Sequence, residues 1–476
     1  MLKTLLHYAP VQIASAFSIF VLIALQTRYL GVEEYGLLSV YLVLVEITRA
    51  IYSQWLNTTL IRHYPAATTS DKNLYTSIVF TGIVGLFLPV SVVFTLVLFA
   101  FFGGASFSDF LALIGLLAVK SLFIFFQEMA RLNDQVSIYR RTTAAQSILS
   151  MVLTWVALAY SPSVVIAIVG LAFSYLVSLP LVWFCPPFVS ISLKQPAVIK
   201  LVSYGWPLMF SGLIGIAATR IDRFFIAEHL GYTDAGIYSA MSNMLLGLMA
   251  LIFMVVALPL YPNLARKAEE KPQLFKAHQN YQIMMLTISL PALVGLCFIA
   301  EPLIKLFLGQ EYLSEGVSLF WILAASAFIS NFRMHYIDHG LQFASKTKFL
   351  PFVLSISLSL NLAMLYFFLP HLGIYGAAYA SLICNIVTLI MSFLLAKKSG
   401  HEYWVNNEVT KIMMAIGCMV FSLYLIRQFT FWPISDILQI LASIAVGIPM
   451  FIIPALIMNL MDSRTYIGDK LRNDHA

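Results

Sequence analysis

The chain has 476 residues, of which 60% are hydrophobic and 11% charged, with a formal net charge of +6. A soluble domain is about 45–50% apolar and about 25% charged, so this composition excludes a water-soluble globule and points to a bilayer as the solvent. The basic residues are spread over short loops rather than gathered in one block, which excludes a nucleic-acid-binding face.

Fourteen apolar segments follow one another, near 9–30, 36–60, 75–102, 108–130, 142–161, 164–186, 201–226, 235–262, 281–307, 317–339, 349–369, 374–396, 409–428 and 433–460. Each has about the 20 residues that cross a hydrocarbon core. Long uninterrupted runs predict helices, because a transmembrane barrel alternates in segments of about ten residues. The first run lacks a small-residue cleavage site and is expected to stay as helix one rather than leave as a signal peptide. Links such as 161–163 and 371–373 are short, and no soluble domain interrupts the series. Cys185, Cys297, Cys384 and Cys418 lie in or beside apolar segments without C-x-x-C spacing, so neither a disulfide framework nor a zinc site is expected.

The basic loops orient the chain. With the N-terminus in the cytoplasm, twenty of the 28 Lys and Arg residues fall on the inner side and three, Arg28, Lys305 and Arg427, on the outer. The positive-inside rule then gives an even number of crossings of a bacterial cytoplasmic membrane, with both termini inside. Five basic residues remain within helices: Arg49, Lys120, Arg220, Arg223 and Arg333.

A shift of 200 residues superimposes two turns. Leu30-Gly31-Val32-Glu33-Glu34-Tyr35-Gly36-Leu37-Leu38-Ser39 lies over Leu230-Gly231-Tyr232-Thr233-Asp234-Ala235-Gly236-Ile237-Tyr238-Ser239, with the shared pattern L-G-x4-G-x2-S. Six helices separate the copies, and six is even, so the two halves enter the membrane the same way round. This is a parallel repeat with a pseudo-two-fold axis along the membrane normal. The expected architecture is an all-α polytopic membrane protein of about 14 transmembrane helices. It divides into a six-helix half over 1–195, a second over 196–400, and two further helices with a cytoplasmic tail over 401–476.

The residues around these turns also carry a family resemblance. Tyr29 to Gly36, Gly205-Trp206-Pro207-Leu208-Met209, Arg220-Ile221-Asp222-Arg223-Phe224-Phe225, the turn from Leu230 to Ser239, the run from Glu301 to Tyr312, and Gly373-Ile374-Tyr375-Gly376-Ala377-Ala378 occur in an order that resembles the Wzx-like O-antigen transporters. These belong to the multidrug/oligosaccharidyl-lipid/polysaccharide (MOP) exporter superfamily. The motifs are short, and it is their order over both halves that carries the likeness. The resemblance implies a flippase that moves an undecaprenyl-diphosphate-linked oligosaccharide from the cytoplasmic to the outer leaflet by alternating access. It also implies membrane-lipid contact and, as partners, a polysaccharide polymerase and a chain-length regulator.

A pyrophosphate head needs cationic partners, and arginine offers paired donors that match phosphate oxygens. Intramembrane cations facing the gap between halves are therefore the expected substrate ligands: Arg49, Lys120, Arg220 and Arg223. Arg220 and Arg223 share a helix face, with Arg220 roughly 28 Å along its helix in the outer part of the membrane. Gln12, Gln54 and Asn243 are the expected polar, sugar-facing residues. Glu46, three residues before Arg49, and Asp222 are the candidates for coupling to H+ or Na+; no other cofactor and no metal is expected. The spacing of His335, Asp338 and His339 lacks an H-E-x-x-H pattern and reads as a polar helix end.

Three other functions compete. A cation-coupled multidrug antiporter of the same superfamily calls for a carboxylate-rich cavity, whereas five basic residues here face only Glu46 and Asp222 within the helices. A lipid-linked peptidoglycan-precursor flippase fits the charge equally well. A membrane glycosyltransferase or ligase lacks a catalytic loop, and the absence of a P-loop motif speaks against direct ATP use. The chain is not expected to be an enzyme.

Overall fold

The computed structural model describes the backbone of residues 2–102, 104–182, 195–267, 270–403, 407–428 and 435–462, with side chains from residue 17 onward. Among the described residues every regular element is helical: α1 (Leu2–Arg49), a π turn (Ala50–Gln54), α2 (Trp55–His63), α3 (Thr69–Phe101), α4 (Phe107–Leu132), α5 (Val136–Tyr160), α6 (Val164–Ser178), α7 (Pro196–Arg220), α8 (Asp222–His229) and α9 (Tyr232–Arg266). They continue as α10 (Lys271–Phe298), α11 (Ala300–Phe307), α12 (Gly316–Phe332), a second π turn (Arg333–Ile337), α13 (Asp338–Phe343), α14 (Phe349–Leu372), α15 (Ile374–Lys398), α16 (Glu408–Gln428) and α17 (Asp436–Ile457).

Twelve helices among the described residues are long and apolar enough to cross a membrane. They match the third to fourteenth segments of the sequence reading. The first two segments lie in the run from Leu2 to His63, which breaks at Gly31. Local chemistry sets several helix starts. At α4, Ser106 Oγ accepts from Asp109 N (3.3 Å) while Asp109 Oδ2 accepts from Ser106 N (2.7 Å), a reciprocal cap that satisfies two otherwise orphaned donors. Thr68 caps α3 through Asp71 N (3.2 Å), and Pro196 opens α7 where its missing N–H costs nothing. Where the sequence suggested one segment over 201–226, the backbone turns at Ile221 and divides it into α7 and α8.

The chain forms two compact units. One comprises Leu6–Ala240 with Leu354–Ile374; the other is built mainly from Met241–Val353 and the residues from Tyr375 on. These units follow which helices lie near one another, whereas the halves of the sequence reading follow the repeat.

Within the first unit the two repeated turns meet. Gly31 (φ +73°) and Gly231 (φ +96°) both adopt the left-handed conformation that L side chains resist, which lets each turn close tightly before the next helix. Five residues on, the backbones touch. A Cβ on Gly36 would lie 1.9 Å from Tyr232 O, and a Cβ on Gly236 would lie 2.0 Å from Val32 O. Ser39 Oγ donates to Ser239 Oγ at 2.9 Å. Every pair is offset by the 200-residue repeat or is the reciprocal of another, the pattern that a two-fold axis imposes on a self-complementary contact. The alignment of the two turns thus corresponds to a physical junction.

Gly36→Ala should therefore force two backbones apart, at about 1–3 kcal/mol, and lower the thermal midpoint of the solubilised protein. Gly85→Ala, whose Cβ would meet nothing within 4 Å, should leave the midpoint unchanged. Equal midpoints for the two variants would show that the junction is not tightly packed.

Candidate functional site

The first unit gathers charges on α1 and α4. Glu46 and Arg49 are three apart and share a face of α1. Arg49 donates through both Nε (3.1 Å) and Nη2 (2.9 Å) to Glu46 Oε2. Lys120 of α4 donates to the other carboxylate oxygen, Oε1. One carboxylate thus joins two cations, and all three side chains are mostly withdrawn from solvent, at 13% exposure for Arg49, 22% for Lys120 and 20% for Glu46. The Lys120 ammonium also lies 5.7 Å from the centroid of the Tyr175 ring on α6, close enough for cation–π attraction.

The π turn completes this cluster. Gln54 is five residues after Arg49, about 140° away on an α-helix. A π turn closes i→i+5 and returns that residue toward the starting side, and Gln54 Oε1 accepts from Arg49 Nη2 at 3.3 Å. The same turn is tied down by Tyr52 Oη, which donates to Ile83 O (2.7 Å), and by Ser53 Oγ, which donates to Ser121 Oγ (3.2 Å) next to Lys120. The net charge of Glu46, Arg49 and Lys120 is +1, with the arginine already presented as a fork.

A second charged group lies at the junction. Asp222 Oδ2 accepts from Tyr238 Oη (2.6 Å) and Asp222 Oδ1 from the Arg223 backbone N–H (3.0 Å). Arg223 is 2% exposed and lies in the field of Asp222, Tyr35 and Tyr238. Both side chains are packed inside the protein, at the junction between α8 and the start of α9. Arg220, at the end of α7, is half-buried and stands within electrostatic reach of Asp222.

The structure thus brings together Glu46, Arg49, Gln54 and Lys120, and separately Arg220, Asp222 and Arg223. Asn243 belongs to the other unit. Gln12 lies outside the described side chains, as does Cys185. Sequence reasoning missed Tyr175 and the Ser53–Ser121 bond. The one signal for them was Lys120 itself, a buried cation that needed partners from neighbouring helices.

A family model described as polysaccharide biosynthesis protein matches residues 25–316, more than half of the chain. The chain belongs to this family. Among curated relatives it is 24% identical over 180 residues to a putative O-antigen transporter of Shigella flexneri, a stretch that covers 38% of this chain and 42% of that protein. It therefore matches less than half the length of that relative.

Among solved structures, a lipid II flippase, MurJ in an inward closed conformation, superimposes with a TM-score of 0.75 at 17% identity, covering 95% of this chain and 99% of that one. An inward-facing multidrug-resistance MATE transporter of the MOP superfamily follows at a TM-score of 0.62 and 17% identity, covering 80% of this chain and 94% of that one. At this identity the two structures establish the fold. Family and fold together bear out the resemblance to the Wzx-like members of the MOP superfamily.

Glu46 acts as the counter-ion of two cations. Glu46→Gln should cost about 2 kcal/mol, since hydrogen bonds to charged groups contribute in that range. The double variant Glu46→Gln/Lys120→Gln should recover part of that loss, because it removes the uncompensated ammonium. Thermal melts of the four members of this double-mutant cycle measure the coupling, and strictly additive losses would contradict a shared carboxylate.

Proposed function

We propose that this protein is a flippase that carries an undecaprenyl-diphosphate-linked oligosaccharide, an O-antigen or related surface-polysaccharide repeat unit, from the cytoplasmic to the outer leaflet of a bacterial inner membrane. The observation that carries the reading is the excess of cations over carboxylates among the charges that the sequence places deep in the membrane in the first unit. Arg49, Lys120, Arg220 and Arg223 stand against Glu46 and Asp222. An uncompensated positive charge inside a membrane is costly unless an anion visits it.

In this reading the pyrophosphate exchanges for Glu46 as the ligand of Arg49 and Lys120. Gln54 and Tyr175 keep the two cations aimed. Arg220, nearer the outer end, receives the head group as it leaves, and the buried Asp222–Arg223 pair positions that end of α7. Gln12 and Asn243 serve the sugars. A polymerase and a chain-length regulator would take the product, and H+ or Na+ would drive the cycle.

Two further features support a lipid-linked substrate. The family match is to polysaccharide biosynthesis proteins, and one relative is named as a putative O-antigen transporter. In the second unit, α10, α16 and α17 border an apolar groove of about 600 Å³ lined by residues such as Ile288, Leu296, Leu423 and Phe451. Such a groove suits a hydrocarbon chain. The antiporter alternative shares the fold of the MATE transporters, but it lacks the carboxylate excess that an organic cation would need.

Flipping of a fluorescent undecaprenyl-diphosphate oligosaccharide in proteoliposomes tests the proposal. Arg49→Ala and Arg220→Ala should each slow flipping tenfold or more, corresponding to about 1.4 kcal/mol of lost interaction, while still inserting and folding. Unchanged flipping in both variants would refute the cationic site. Export of a cationic dye in place of the glycan would favour the antiporter.

A further inference from the structure

His335, Asp338 and His339 read in the sequence as a polar helix end. In the structure His278 of α10 and His401, from the connection between α15 and α16, join them within the second unit. His278 is 1% exposed and His401 3% exposed, and His401 Nε2 lies 2.9 Å from His278 Nδ1. Such a contact needs one nitrogen to donate and the other to accept. One proton leaves that bond in place, so what a charged ring loses at this buried pair is its hydration.

The connection that carries His401 is folded back onto the helices. His401 N donates to Ala396 O (3.1 Å) just past the end of α15. Tyr403 Oη donates to Ile337 O (2.7 Å), a carbonyl of the second π turn. Tyr403 crosses Gly340 so closely that a Cβ there would lie 2.1 Å from its Oη and 3.0 Å from His401 Cδ2. A cavity of about 170 Å³ lined by Lys271, Phe275, Phe343, Ser399 and Gly400 reaches His401. It lies at the end of the helices where the basic loops gather, so water and protons have a route to the pair.

We propose that the His278–His401 pair is a proton-binding site that latches residues 399–403, just past α15, onto α10, and that proton uptake opens the latch. The groups around the pair fit a proton as its ligand. Among the described residues no set of three His, Cys, Asp or Glu side chains has a metal-holding arrangement. The titratable and charged neighbours are Tyr261 from α9, Lys271 and Tyr281 from α10, and Tyr403 from the connection. The second π turn and α13 add Arg333, His335, Tyr336, Asp338 and His339. Of the carboxylates nearby, Asp338 faces Arg333 at 3.9 Å, and Glu402, next to His401 in the chain, is exposed to solvent.

Burial pushes the His401 imidazole down to about 4, against about 6.5 for a free histidine. The closed latch therefore holds His401 neutral, and the open latch lets it protonate. Closure is fully stable above about pH 6.5 and weakens as pH falls toward about 4.

Hydrogen–deuterium exchange of the full chain in lipid nanodiscs tests the latch through the amides of residues 399–403, corrected for intrinsic rate. In the wild type, protection should fall about tenfold from pH 7.5 to pH 5.5. His401→Gln keeps a hydrogen-bonding group without the titration and should flatten this dependence, whereas His278→Gln leaves the buried His401 to titrate and should keep it. Tyr403→Phe should lower protection at every pH while leaving the tenfold fall in place. Wild-type protection that does not change with pH, or a fall that survives in His401→Gln, would overturn the proposal.

Discussion

Two helix backbones touch at Gly36 and Gly236, and the charged parts of the first unit take their positions from that contact. No side chain separates the strands of backbone there, so the approach is set by carbonyl oxygens rather than by adaptable atoms. From Gly36, ten residues of helix lead to Glu46, about 15 Å along the axis. The junction thus fixes the depth at which the two-cation site sits. Just before Gly236, α8 carries Asp222 and Arg223, and Tyr238 just after it holds the Asp222 carboxylate. A substitution at either glycine would move both charged groups together.

The second governing constraint is the cost of charge in an apolar medium. Several intramembrane charges in the first unit have a visible answer. Glu46 is shared by Arg49 and Lys120, Lys120 leans on Tyr175, and Asp222 is capped by a phenol and a backbone N–H. These answers restrain the cations without fully neutralising them, because one carboxylate serves two of them. The three side chains are left with one positive charge in excess. A pair of equal and opposite charges would have no such excess.

Much of the architecture was legible in the sequence because lipid imposes a simple rule. Apolar runs of the right length, with basic residues on alternate links, left little choice but a helical bundle, and most of the twelve spans match their segments as single helices. The repeat was legible because glycine is demanded where a turn needs positive φ, as at Gly31 and Gly231, and where backbones touch, as at Gly36 and Gly236. The site was legible only in part. Glu46, Arg49 and Gln54 lie close in sequence, and Lys120 was suspect as a lone central cation. The partners that come from afar left no periodic trace: Tyr175 on α6, Ser121 on α4, and above all His278 and His401, which are 123 residues apart and meet within hydrogen-bonding distance. Helical periodicity also hid the break at Ile221, since the apolar pattern runs through it.

The two π turns show why the remaining part escaped a reading based on 3.6 residues per turn. Among the described residues they occur at Ala50–Gln54 and Arg333–Ile337, one in each unit, and each adjoins or begins with an arginine. In both, that arginine faces a polar residue five positions on: Arg49 meets Gln54 at 3.3 Å, and Arg333 meets Asp338 at 3.9 Å. On an α-helix those partners would point about 140° apart, and the pattern would read as two unrelated polar residues. Closing the ring at i→i+5 brings them to one side. It does so on the C-terminal side, while Glu46, three residues before Arg49, holds the preceding turn. An arginine inside a membrane thereby gains a neighbour on each side of its own position along the helix, and its guanidinium is held in one direction. The extra residue in the helix supplies that geometry.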